Sequence, residues 1–104
     1  MKQKRLGKIE ILAISEVLYL KADGHYCEVH QHDQQSFLHD KSLDKILNLL
    51  PDSFIRIHRS YAVSVDAMQS IEAQEGSKYW LTLNSGIRLP LGRTKVRDVK
   101  ARLI

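Results

Sequence analysis

Phe54-Ile55-Arg56-Ile57-His58-Arg59-Ser60-Tyr61-Ala62-Val63-Ser64 sets apolar residues in alternation with polar ones on both sides of a compact Arg-His-Arg-Ser cluster. A period of two places alternate side chains on opposite faces of an extended chain. The stretch therefore predicts two strands, Phe54 to Ile57 and Tyr61 to Val65, joined across the basic cluster. Arg56, His58 and Arg59 bring nitrogen donors and Ser60 brings a hydroxyl. Such a set suits an anionic oxygen or a base edge, because guanidinium presents a fixed fork of donors that paired acceptors can match. A second basic cluster follows: Arg93, Lys95, Arg97, Lys100 and Arg102, with Asp98 the one acid among residues 93–102. Two separated basic patches point to a polyanion.

Outward from this centre, the same alternation recurs. Ile9 to Ala13, Val17 to Lys21, Tyr26 to Gln31, Ser36 to His39, Met68 to Ala73, Tyr79 to Leu83 and Ile87 to Leu91 read as strands. Asp23-Gly24, Glu75-Gly76-Ser77 and Asn84-Ser85-Gly86 read as turns between them. Pro90 marks its strand as an edge. Leu43, Ile46, Leu47 and Leu50 instead recur at helical spacing, with Asp40 or Ser42 placed to cap and Pro51 to stop the helix. Val96, Val99 and Leu103 form a second helical stripe, with Thr94 as N-cap.

The chain has 104 residues, enough for one domain with a core, and 43% of them are hydrophobic. Its net charge is +4, so binding rests on local patches rather than on bulk charge. Apolar runs are too short to cross a membrane, and no signal peptide opens the chain. The single cysteine, Cys27, excludes an internal disulfide and fits a reducing cytoplasm. Residues 1–8 are basic and aperiodic, and read as an arm or a linker remnant before a domain at 9–104.

Five histidines invite a catalytic or metal reading. His25, His30, His32, His39 and His58 show no metal-ligand spacing, although His30 and His32 share a strand face. No nucleophile elbow, P-loop or dinucleotide motif is present, so neither an enzyme nor a cofactor is implied. Each binding candidate has a plainer alternative. The Arg93–Arg102 stretch also reads as a solvated helix face; its sharper reading is a phosphate clamp, with Gly92 leaving backbone N–H groups open at a helix start. Arg59 also reads as a surface ion pair, and His58 as a histidine tucked under the neighbouring strand. Cys27 reads as a small core residue, and Trp80 as a cover for the second side of its sheet.

Four blocks, in this order, carry a resemblance: VLYLKADGHYCEVH (17–30), KSLDKILNLLP (41–51), FIRIHRSYAVSVDAMQSI (54–71) and YWLTLNSGIRLPLGRTKV (79–96). Together they resemble the LytTR DNA-binding domain, the output domain of LytR/AlgR-type bacterial response regulators, over roughly residues 9 to 103. The resemblance implies a mostly β fold with two short helices, built as elongated antiparallel sheets. It implies sequence-specific binding of double-stranded DNA, with loops rather than a recognition helix entering successive major grooves. By position it puts His25 and Arg59 at bases, Ser60 and His58 near the DNA backbone, and Arg93, Thr94 and Lys95 at a third contact. Repeated half-sites, a homodimer on DNA, and a receiver domain or regulatory protein elsewhere in a longer chain are the implied partners. Two residues depart from the family pattern: Gly92 stands where serine is usual, and Ser64 where asparagine is frequent. Those departures favour the main competing reading, a protein-interaction module that keeps the fold without specific DNA binding. A single-stranded nucleic-acid binder would need exposed aromatics for stacking, for which Trp80 and a few tyrosines are available.

Overall fold

The alternating stretches build two antiparallel sheets that share a core. The computed structural model describes residues 13–103, together with the backbone of two paired strands before them, β1 (Lys2–Arg5) and β2 (Lys8–Ile11). The larger sheet contains β3 (Val17–Asp23), β4 (Tyr26–Gln31), β5 (Ser36–His39), β6 (Phe54–His58) and β7 (Tyr61–Ser64). Its spatial order is β5-β4-β3-β7-β6, so β3 lies at the centre and takes a partner on each side. The smaller sheet contains β8 (Met68–Gln74), β9 (Lys78–Leu83) and β10 (Arg88–Leu91), in the order β10-β9-β8. Two short helices complete the chain, α1 (Leu43–Leu49) and α2 (Val96–Lys100). The molecule extends 46 × 24 × 21 Å, which makes it elongated.

Each face of the larger sheet has its own cover. Leu20, Cys27, Val29 and Ala62 are fully buried on one face, where Leu43 and Ile46 of α1 close over them. Ile57 and Val63 are fully buried on the other, against Leu81, Leu83 and Leu91 of the smaller sheet and Val99 of α2. The alternation in the sequence is thus satisfied on both sides of one sheet. Burial of Cys27 pushes its thiol up to about 11, the behaviour of a packing residue rather than a reactive one.

Local chemistry sets the element ends. Ser42 is the cap of α1: its hydroxyl accepts the Lys45 N–H at 3.4 Å, and Pro51 follows the helix end. Pro90 sits on β10, an edge strand, opposite Trp80. Trp80 lies on the outer side of its sheet as the alternation required, with the Arg88 guanidinium 5.1 Å over its ring and its indole N–H buried without a partner among the described residues. The helical stripe at the end is shorter than its apolar spacing suggested, and it opens differently. A 3₁₀ turn over Arg93–Lys95 precedes α2, and Thr94 caps nothing. No helix of the described residues is long and apolar enough to cross a membrane.

Candidate nucleic-acid interface

The turn between β6 and β7 carries Arg59 and Ser60, and an irregularity in its own strand pair shapes it. Arg56 pairs with Ala62 and His58 with Tyr61, so Ile57 is an extra residue in β6. A bulge of this kind bends the strand and re-aims its side chains. Here it frees the Ile57 carbonyl from the ladder, and that oxygen accepts the Gly92 N–H at 2.7 Å. It also brings His58 round to the side of Tyr61, where the two rings meet edge-on at 5.8 Å.

Side chains then close the turn from within. The Ser60 N–H donates to Nδ1 of His58 at 3.0 Å. That bond requires an unprotonated Nδ1, which leaves the proton of the neutral ring on Nε2. Burial, and then the guanidinium groups of Arg59 and Arg56, hold the His58 pKa below its ordinary value of 6.5, so the neutral form suits the site. Arg56 completes the brace. Its Nε donates to the His58 carbonyl at 2.8 Å, one terminal nitrogen donates to the Arg59 carbonyl, and the other pairs with Asp44 of α1.

Two further segments are pinned to the same end of the molecule. The Ala22 N–H donates to the Ser60 carbonyl at 2.8 Å, which ties the end of β3 to the Arg59-Ser60 turn. Immediately beyond lies the Gly24-His25 turn, with Gly24 at φ +61°, a backbone conformation that glycine adopts without steric cost. The Gly92–Ile57 bond fixes the third segment, and the Lys95 N–H returns to the Gly92 carbonyl at 2.8 Å to start the 3₁₀ turn. His25, Arg59, Arg93 and Thr94 are all exposed, and Ser60 and Lys95 are half-buried. Among the described residues no side chain holds the guanidinium of Arg59 or Arg93 (the Arg59 ion pair does not form). The end therefore presents free cationic donors on a fixed backbone, which is what an anionic backbone and base edges require.

Several details of the sequence reading change. Each of the three guanidinium nitrogens of Arg56 makes a bond inside the fold, so the group is committed to the turn and to Asp44. The signal for this lay in a long-range pairing with Asp44 that spacing does not reveal. His58 shapes the turn through Ser60, in line with the tucked alternative. The Gly92 N–H is spent on Ile57, so it is not open to a phosphate. Arg102, at the far end of α2, donates to the Asp52 carbonyl at 2.6 Å and fastens the helix to the loop before β6. His30 stacks on Tyr19 at 4.3 Å and pairs with Glu28 at 3.0 Å. Ser64 makes no side-chain cap on the 3₁₀ turn that follows it, where a Val65 N–H to Ser53 carbonyl bond of 2.7 Å holds the chain instead.

Comparison with known proteins gives the family of this fold. The family model for the LytTr DNA-binding domain matches residues 7–104. The CO-responsive transcriptional regulator RcoM of Rhodospirillum rubrum is 33% identical over 95 residues, covering 90% of this chain and 40% of that protein. The sensory transduction protein LytT of Bacillus subtilis is 30% identical over 96 residues, covering 91% of this chain and 39% of that protein. The chain thus spans about two fifths of the length of these relatives. A solved LytTr DNA-binding domain from Bacillus cereus superposes with a TM-score of 0.82 at 29% identity, over 99% of this chain and 94% of that one. The chain belongs to the LytTr DNA-binding domain family.

Proposed function

We propose that this chain binds double-stranded DNA in a sequence-specific manner, as the output domain of a bacterial transcription regulator. The observation that carries this reading is the convergence of three turns at one end, locked together by the Ala22–Ser60 and Gly92–Ile57 backbone bonds. His25 and Arg59 read bases from the first two turns, and Arg93, Thr94 and Lys95 form the third contact. A guanidinium that pairs bidentately with guanine contributes roughly 1–3 kcal/mol of discrimination. Ser60 and Lys95 contact phosphates, which adds salt-dependent affinity without sequence information. His58 holds the Ser60 amide and acts on DNA through the shape of its turn. Successive major grooves on one face of the duplex receive the turns, and one domain covers about one helical turn. Two copies on repeated half-sites supply useful specificity. The basic start of the chain, whose Lys2–Arg5 strand pairs with Lys8–Ile11, joins the unit to a receiver domain or other regulatory partner, and the protein works in the cytoplasm.

The test is selection from random duplexes at two salt concentrations, with the wild-type chain and with Arg59→Ala combined with Arg93→Ala. The wild type enriches a motif and binds more weakly as salt rises; the double variant loses the motif. A wild type that enriches nothing, and binds only weakly at low salt, supports the protein-interaction module instead.

A further inference from the structure

We infer that Arg56 is a positioning residue for DNA reading: its guanidinium sets the shape of the Arg59-Ser60 turn and touches no DNA itself. The inference rests on the DNA-binding reading above and extends it to a residue outside the three turns. An arginine in a basic cluster would ordinarily be counted among the phosphate contacts. Here the fork faces inward. Nε binds the His58 carbonyl at 2.8 Å, a terminal nitrogen binds the Arg59 carbonyl, and the remaining one is held by Asp44. Two consecutive carbonyls of the turn are thus gripped by one rigid plane, and α1 fixes the plane from the other side.

The chemistry calls for arginine in particular. A guanidinium offers five N–H donors in a planar fork, whereas an ammonium is a point donor on a flexible stem. Lysine at this position keeps the charge but cannot span both carbonyls and Asp44 together. The turn also has few other restraints. The Ser60 N–H to His58 bond closes it on one side, and the Ala22 N–H to Ser60 bond ties it to β3. The grip on the His58 and Arg59 carbonyls is what orients the peptide planes from which the Arg59 side chain leaves. With the grip lost, Arg59 keeps its charge and its exposure but loses its direction.

The test uses Arg56→Lys and, as a second variant on an exposed partner, Asp44→Asn. Amide hydrogen exchange at Ser60 and Ala22 reports the turn; duplex selection at two salt concentrations reports reading. Arg56→Lys is expected to speed exchange at both amides at least tenfold relative to amides of the β8–β9 ladder. It is also expected to cut the preference for the selected motif over random duplex at least tenfold, with the salt dependence of random-duplex binding unchanged. Asp44→Asn shifts both readouts the same way by a smaller factor. Unchanged exchange and unchanged preference in Arg56→Lys overturn the proposal. So does a shallower salt dependence with intact preference, because that result makes Arg56 a phosphate contact. If Arg56→Lys unfolds, Asp44→Asn decides by the same criteria. If the wild type selects no motif, the DNA-binding reading fails by itself, and unchanged exchange at Ser60 and Ala22 still removes the bracing role.

Discussion

Two parts of the end proposed to read DNA reach their shape by different means. The Arg59-Ser60 turn is held by side chains: the Arg56 fork on two carbonyls and His58 Nδ1 on the Ser60 amide. The Gly92–Lys95 segment is held by its own backbone, with Gly92 bonded to Ile57 and Lys95 to Gly92, and by Val99 buried behind it. Side-chain bracing gives a sharp geometry that depends on residue identity and on protonation. Backbone pinning tolerates substitution and is indifferent to pH. One end of a single small domain therefore combines a chemically sensitive turn with a robust one.

This contrast can be broken most decisively at Arg56. Arg56→Ala removes charge-assisted bonds to two carbonyls and leaves Asp44 unpaired, and is expected to cost about 2–3 kcal/mol in denaturant unfolding. A cost near zero would mean that the turn holds itself. A pH effect of smaller size separates the two segments further. The folded pKa of His58 lies below its unfolded value of 6.5, because burial and then Arg59 and Arg56 disfavour the imidazolium. The unfolded chain then binds the proton more readily, so stability is full above pH 6.5 and falls as pH drops through that value. His58→Asn, which retains an acceptor near the Nδ1 position, is expected to flatten this part of the melting temperature profile between pH 5 and 8. A profile that overlays the wild type assigns the loss to other groups.

The smallest effect on stability belongs to the backbone-pinned segment. Gly92 has φ −64°, which any residue adopts, and an added Cβ would meet the Ile57 carbonyl oxygen at 3.4 Å and the His58 Cα at 3.7 Å, ordinary contacts. Gly92→Ser is expected to change stability by less than about 0.5 kcal/mol. It restores the family's hydroxyl and is expected to tighten duplex binding by roughly three- to tenfold, the value of one added hydrogen bond. Weaker duplex binding by Gly92→Ser would show that the family's hydroxyl has no place in this interface.

Alternation alone located β2 to β10, though not β1, because buried and exposed positions along a strand obey a local period. Leu81 and Leu83 against Trp80, or Cys27 and Val29 against Glu28, are legible without any partner in view. Ser42 was legible as one of two candidate caps, since its bond spans only three residues. The brace was not legible. Arg56 meets Asp44 across twelve positions, and the bulge at Ile57 that frees a carbonyl for Gly92 follows from a register that no single strand reveals. The basic cluster around residue 58 therefore looked uniform in the sequence, whereas the fold divides it into one outward cation, Arg59, and one inward one, Arg56. The same holds for α2, whose start depends on a distant strand rather than on a capping side chain.

The sheet order has a consequence for how the protein is made. His25, Arg59 and Arg93 follow one another at equal intervals of 34 residues, and the first two adjoin β3 and β7, which pair far along the chain. Closing such long loops is slow, and no local fragment gains much until the central strand has both neighbours. A chain still emerging from the ribosome carries its first two turns without the third. The surface proposed to read DNA is thus complete only once Gly92 has bonded to Ile57.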